Sequence, residues 1–480
     1  MKKIESFLNT KFYIILIFTI GLLSWVNRTP TPDSKFLIFL FKDASSFNVY
    51  NIIGILLLVM LLCMVLILFK NSMYSMPILL SALISISNGN MDFNTLVNAK
   101  VLYALLFLII LSIVIHIIRF KPKLEFGKLS LGYLLIFISY IIPVFTFDTS
   151  LKNFAISIIG LFYLLIYLGY YNTSKTNIKY LMYILLFFNL AISFEMLTFI
   201  FKSIFYNQEN ISLLEKFKIA YNNTWSITYK GINYFNLGWA NKNDIAIFIT
   251  LSFPGIIYFI YQNPKKYYLY LLAFIPIVSL LLTKSRGGYI GFFIEFILLL
   301  VFIFKKVDKK YYSKIFIILG ILLVLSIPFI FLATKHFINT LNRGNLNSFS
   351  SSRISIWKGG LELWKKQPVF GVGWTSIDIV KENIGFTFRL FIYHSTFFHT
   401  LICFGIFGLI ALGIYFYEVY EIFKYKFSNY KFIILLGFIA INVHGLIDNT
   451  QHTPIYTILT TFIFIFMEQN NKELDLNVEI

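Results

Sequence analysis

Cysteine is almost missing from this 480-residue chain, and the two present, Cys63 and Cys403, both fall inside apolar stretches. A disulfide framework or a cysteine-based zinc site is thereby excluded. Charge is scarce as well: Asp, Glu, Lys and Arg together make up 13% of the residues, against 58% hydrophobic and 19% aromatic. One water-soluble core cannot hide that much apolar surface. Acids are the rarer sign, 22 Asp and Glu against 41 Lys and Arg, for a net charge of +19. That charge does not point to nucleic acid, because most lysines sit in short clusters between apolar runs, as in "HIIRFKPKLEFGK", "QNPKKYY", "FKKVDKKYYSK" and "FKYKFSNYK". Such clusters mark the cytoplasmic side of a polytopic membrane protein. No internal repeat, low-complexity tract or separate soluble domain is visible. The start, "MKKIESFLNTKFYIILIFTIGLLSW", has a basic stretch and an apolar run without a small-residue cleavage site, and reads as a first retained span.

What is present is a succession of apolar runs, each of roughly 17 to 25 residues, the length that crosses a lipid hydrocarbon core. Without the alternation of a barrel strand, these runs must be helices, since lipid offers the backbone no hydrogen-bond partners. The expected fold class is all-α: a multi-pass integral membrane protein of about 12–14 transmembrane helices. One expected span covers 239–261; that at 72–87 and the last two, 432–450 and 453–467, are short enough to be half-spans. Lysine placement puts both termini in the cytoplasm. Two long segments, roughly 202–238 and 335–393, then fall outside, the second just before the last spans. The expected organisation is N-terminal spans with the first long loop over 1–235, core spans over 236–334, the large extracytoplasmic loop over 335–393, and C-terminal spans with a cytoplasmic tail over 394–480.

Arginine is scarcer than lysine: the chain has Arg28, Arg119, Arg286, Arg343, Arg353 and Arg389. All but Arg119 fall on the outer side of the expected topology, against the positive-inside trend. A planar guanidinium is a bidentate donor for phosphate or carboxylate, so these residues point to an anionic ligand at the outer face. Snorkelling helix-end arginines are the plainer alternative. In "LLLTKSRGGYIGFF", Lys284 and Arg286 interrupt an apolar stretch, and Gly287 and Gly288 allow close backbone approach.

The large loop contains "FSSSRISIWKGGLELWKKQPVFGVGW", with serines able to cap a helix and Pro368 to end it. Ile354, Trp357, Leu361 and Trp364 recur at helical spacing opposite Lys358, Lys365 and Lys366, which predicts an amphipathic helix on the outer leaflet. Arg353 opens its first turn. "PVFGVGW" reads as a tight turn at Gly371 and Gly373, not as a nucleotide-binding glycine motif. His394 stands at the mouth of the next span; His399, five residues on, is poorly placed to share a metal with it. Further along, "NVHGLIDNTQHTP" places His444 and Asp448 at i and i+4, where they could hydrogen-bond. Glu195, Asp244 and Glu295 are ionisable groups in or near spans, each either a polar site or a structural pair.

These motifs, in this order, resemble the C-terminal half of the O-antigen ligase and O-antigen polymerase superfamily over roughly residues 236–450. The stretches that carry the resemblance are "LTKSRGGYIGFF", "SRISIWKGG", "QPVFGVGW", "YHSTFFHTLICFGIFGL", "HGLID" and "NLGWANKNDIAIFITLSFPG" with Asn241 and Asn243. "HST" stands where many members read His-Asn. The resemblance implies a GT-C-like membrane glycosyltransferase of the bacterial cytoplasmic membrane, independent of metal and cofactor. Its donor would be an undecaprenyl-diphosphate-linked oligosaccharide, and other glycan-assembly membrane proteins are the expected partners. It also implies that Arg286 and Arg353 bind the diphosphate and that His394 stands at the acceptor side. Arg343, Arg389, Lys284 and Trp357 are further candidates for substrate binding, and Glu195, Asn241, Asp244, His444 and Asp448 for support. A polymerase of surface polysaccharide is the expected activity, a ligase the alternative; a flippase would call for two similar halves.

Overall fold

The computed structural model describes residues 2–26, 49–86, 100–175, 177–206, 211–222, 226–229, 232–236, 242–266, 268–306, 309–341, 352–383 and 393–476. Arg28, Asn241, Arg343 and Arg389 lie outside them. The protein is an all-α polytopic membrane protein. Among the described residues, five helices are long and apolar enough to cross a bilayer: Leu151–Thr173, Ile178–Ile204, Lys242–Gln262, Arg286–Lys306 and Thr396–Lys424. Lys2–Leu8 with Lys11–Trp25, bent by 67°, makes a sixth if the pair is one span. Shorter apolar helices occur at Ile53–Leu68, Phe107–Phe120, Ser130–Thr146, Tyr268–Leu282 and Asn429–Gly445.

Local chemistry adjusts several of the expected boundaries. The span expected over 239–261 is the segment Lys242–Gln262, within which Pro254 starts a new first turn and divides it into Lys242–Ser252 and Pro254–Gln262. The short run at 72–87 opens with a 3-10 turn capped by Asn71 and continues as Met76–Ile86. The first long loop holds an antiparallel hairpin of Ser226–Tyr229 and Ile232–Asn236, which the helical reading did not include. Its sequence, "SITYKGINYFN", is rich in the β-branched and aromatic residues that favour strands.

The chain forms two compact units. The first comprises Met1–Pro122, Thr173–Ser285 and Phe302–Phe329. Its centre is the long helix Ile178–Tyr206, against which Lys11–Val26, Lys242–Ser252, Pro254–Gln262 and Tyr268–Leu282 pack. Asn189 on that helix gives its amide to Ile249 O at 2.7 Å and Ser252 Oγ at 3.0 Å, so this buried polar group joins two helices.

The second unit comprises Lys123–Asn172, Arg286–Val301 and Ile330–Ile480. Thr396–Lys424 is its spine and packs along Ser130–Thr146. Helix ends here are closed by ionisable side chains, Glu468 and Lys431 buried and Glu418 half-buried. At the start of Ser130–Thr146, Lys128 N donates to Glu468 Oε1 at 2.6 Å and Gly132 N to Glu418 Oε2 at 2.9 Å. At the same end of the spine, where that helix stops, Lys431 Nζ donates to Ile422 O at 3.1 Å and to Tyr425 O. Carboxylates at a helix N-terminus and an ammonium at a C-terminus satisfy orphan backbone groups and match the helix dipole.

The spine itself is broken. Gly405 has φ 67° and ψ −163°, which interrupts the helical hydrogen bonds around it. The chain at 368–373 fills the gap with its backbone: Val372 N and Gly373 N donate to Ile402 O and Cys403 O, while Ile406 N and Phe407 N donate to Pro368 O and Val369 O, all at 2.9–3.0 Å. Gly371 and Gly373, at φ 78° and 76°, make the tight approach possible. Through these bonds the "PVFGVGW" turn is fastened to the helix that carries the site.

Candidate functional site

The second unit gathers a polar cluster where Thr396–Lys424 begins and Asn429–Gly445 ends. The latter helix stops at Gly445 and is followed by a turn that carries Asp448. In that turn Asp448 N donates to His444 O at 3.0 Å, one further bond of helical spacing, and Asp448 O accepts from Thr396 N at 3.0 Å. Thr450 N donates to Thr396 Oγ1 at 3.1 Å. The turn after one helix is thus stitched to the first residue of the other, and the Asp448 side chain is fixed between them.

Its two oxygens have different partners. Oδ1 lies 3.2 Å from His394 Nδ1 and accepts from Asn449 N at 2.9 Å. Oδ2 accepts from Arg353 Nη2 at 3.5 Å. The carboxylate side chain is 4% exposed, against 14% for Arg353 and 24% for His394. Burial alone would raise the Asp448 pKa. The hydrogen bond and charge of His394, followed by the charges of Arg353 and His444, hold it well below the usual carboxylate range.

His394 has φ 48°, an uncommon left-handed conformation for a side-chain-bearing residue. Trp357 secures it: its Nε1 donates to Tyr393 O, the carbonyl of the peptide bond leading into His394, at 2.6 Å, and its ring stacks on Phe398 at 4.6 Å. Tyr393 OH in turn donates to Ser376 Oγ at 3.0 Å. Trp357 therefore sits where it shapes the histidine's backbone.

Arg353 is the first residue of the helix Arg353–Trp364, as its sequence predicts, but Ser352 takes φ 63° and makes no side-chain cap. The face buried within the protein is Ile356, Gly360 and Leu363, while Ile354, Trp357, Leu361 and Trp364 are half-buried. Gly360 decides this, since a Cβ there would lie 2.4 Å from Ile402 and 2.5 Å from the Tyr393 ring.

Arg286 opens the helix Arg286–Lys306 and is half-buried. Gly287 beside it abuts the His444 ring, with an added Cβ 2.2 Å from Cδ2, and Gly291 abuts Ala440 O. Small residues spaced four apart let this helix close on Asn429–Gly445, and so bring the start of Arg286–Lys306 to the end that holds His444. Glu295 on the same helix is 1% exposed, and neither carboxylate oxygen has a hydrogen-bond partner among the described residues.

Glu195, Asp244 and Lys284 belong to the first unit. Glu195 is buried on the central helix and Asp244 is in the first turn of Lys242–Ser252. Lys284 lies over the Tyr221 ring at 4.1 Å. The second unit brings together Arg353, Trp357, His394, His444 and Asp448, with Arg286 one residue from the His444 contact.

Residues 271–413 match the family model for O-antigen ligase. The match supports, over that segment, the resemblance to the O-antigen ligase and polymerase superfamily. Arg286, Arg353, Trp357 and His394 fall inside the match, and His444 and Asp448 lie beyond its end. No curated protein matches the chain.

Sequence reasoning missed several members of the cluster. Asn449, Thr450, Gln451 and His452 are all buried. Their signal was the run "DNTQHT", six polar residues without a lysine between two apolar helices, which suits a polar interior better than a solvated connection.

Proposed function

We propose that the chain is a membrane glycosyltransferase that polymerises a bacterial surface polysaccharide. It would move glycan from an undecaprenyl-diphosphate donor to a sugar hydroxyl of a second lipid-linked repeat, at the outer face of the cytoplasmic membrane. The observation that carries this reading is the shared Asp448 carboxylate, which holds a histidine with one oxygen and an arginine with the other. The histidine suits proton removal from an incoming hydroxyl; the arginine suits a departing diphosphate.

In this reading His394 donates an Nδ1–H hydrogen bond to Asp448, leaving Nε2 as the base on a ring that is 24% exposed. The acceptor oxygen attacks the anomeric carbon and its proton passes to Nε2. The bond from that carbon to the diphosphate oxygen breaks on the opposite face, with inversion, and the electron pair leaves on the diphosphate. Arg353 spends only part of its guanidinium on Asp448: its Nε is buried without a partner among the described residues, a donor suited to a phosphate oxygen. Arg286, a cation at a helix N-terminus, gains from a bound anion for the same reason. Arg343 and Arg389 are proposed to add to this phosphate binding.

A second reading, transfer of finished glycan to a different acceptor, is favoured by the description of the matched family as O-antigen ligase. Incubating the purified protein with lipid-linked repeat units separates the two. A ladder of products means polymerase, and a single product formed only with a second acceptor means ligase. Change of sidedness without any new glycosidic bond would refute both. His394→Ala and Arg353→Ala should abolish transfer while the protein remains in the membrane.

A further inference from the structure

The turn beside Asp448 contains an amide with nothing to bind. Asn449 is 2% exposed, and both Oδ1 and Nδ2 are buried without a hydrogen-bond partner among the described residues. Its backbone is fully engaged: N donates to Asp448 Oδ1 at 2.9 Å and O accepts from Thr453 Oγ1 at 3.0 Å. The residue is therefore held at the carboxylate while its side chain is left over.

The rest of the turn shows that this is not a general looseness of the segment. Thr450 Oγ1 pairs with Thr396 Oγ1 at 3.3 Å, and Gln451 Nε2 donates to Asn442 Oδ1 at 3.2 Å. His452 uses both ring nitrogens, toward Tyr140 OH at 2.5 Å and Thr400 Oγ1 at 2.7 Å. Among these neighbours only the amide next to Asp448 is unsatisfied. A buried amide without partners is unfavourable, and leucine, with a branched side chain of the same heavy-atom outline, would avoid that cost. Two more unpartnered atoms belong to groups around the same carboxylate, Arg353 Nε and His444 Nδ1.

A primary amide presents an acceptor and two donors side by side. Adjacent hydroxyls of a sugar ring, one donating and one accepting, match that pattern. We propose that Asn449 is the sugar-reading residue of this site: a ring hydroxyl donates to its Oδ1 and the neighbouring hydroxyl accepts from its Nδ2. The sugar must displace cover to reach the amide, and the hydrogen bonds it completes compensate for that displacement. This inference rests on the glycan-transfer reading and gives it a residue for substrate recognition.

Asn449→Leu and Asn449→Ala, made in the full chain and reconstituted in lipid nanodiscs, test it with lipid-linked repeat units as the probe. The expected result is a thermal midpoint equal to or above that of the wild type, with KM for the repeat unit raised about tenfold and kcat changed far less. A structural amide would do the reverse. A lowered midpoint with unchanged KM in both variants overturns the proposal and leaves the amide bound to a buried water only. His394→Ala separates the two levels. If it retains wild-type transfer, the site itself is misassigned and the inference falls with it. If it is inactive while both Asn449 variants keep the wild-type KM, the inference alone falls.

Discussion

The His394 imidazole and the Asp448 carboxylate meet at 3.2 Å although 54 residues separate them in sequence. The contact exists because backbone bonds from Thr396 and Thr450 hold the turn after one helix against the start of another. The pairing is thus a property of two helix ends, and Asp448 is the point where those ends, His394 and Arg353 all converge.

That convergence gives Asp448 a pH-dependent share of the stability. Its folded pKa is depressed, so the stabilisation is fully present above the unfolded value of about 3.9 and is lost as the pH falls through the folded one. Asp448→Asn should lower stability by on the order of 3–5 kcal/mol at neutral pH, the usual cost of breaking a buried charged pair. The gap between the two proteins should then narrow steadily below about pH 3.9. Thermal unfolding in detergent from pH 7 to pH 3 measures it, and a gap of constant size would show that Asp448 is not held ionised by its neighbours.

Trp357 is expected to act on chemistry through the backbone of His394. Trp357→Phe removes the Nε1 bond to Tyr393 O but keeps an aromatic ring over Phe398. Stability should fall by about 0.5–1.5 kcal/mol, the worth of one hydrogen bond. Transfer should fall by about tenfold, because a histidine displaced by a fraction of an ångström loses its alignment. An unchanged rate with the same small stability loss would show that the peptide before His394 needs no such anchor.

Gly405 should tolerate no side chain. A Cβ there would lie 2.3 Å from Val369 O, and its φ of 67° strains any other residue. Gly405→Ala is expected to remove about 2 kcal/mol or more and to lower the amount of folded protein in membranes. Gly413→Ala in the same helix, with nothing within 4 Å of the new Cβ, is the matched control. Equal yields and midpoints for the two variants would refute the account of the broken spine.

How much of this was legible beforehand depended on what each residue needed. The helical membrane class followed from composition, since apolar runs in lipid have few structural options. Arg353 at the start of a helix and the turn at Gly371 and Gly373 were visible because local chemistry settles them. The hairpin in the first loop was equally local, but the helical reading passed over its strand-favouring residues. The broken spine was hidden in "CFGIFG": nothing near Gly405 says that a distant backbone segment will take up its hydrogen bonds. The side-chain partners of Asp448 were hidden for a related reason: His394 and Arg353 lie far from it in sequence, and local spacing points only to His444. Asn449 went unnoticed because a polar residue in a connection looks solvated until its burial is known.

The contact between Gly287 and His444 offers the sharpest test of how the arginine-bearing helix is seated. A Cβ on residue 287 would fall 2.2 Å from His444 Cδ2 and 2.5 Å from Nε2 of an imidazole that is itself buried. Gly287→Ala should therefore push Arg286–Lys306 away from Asn429–Gly445 and cost about 1–3 kcal/mol, the range for overpacking a filled core. His444→Ala alone leaves a hole and also destabilises. Together the two changes are complementary, because the methyl added at 287 enters the space the ring vacates. The double variant should be more stable than the sum of the singles predicts, by about 0.5–3 kcal/mol in a double-mutant cycle. Transfer activity should not recover with it if His444 also tunes the charge around Asp448. Strict additivity, within about 0.5 kcal/mol, would show that the two residues do not touch and that Arg286 is seated by some other contact.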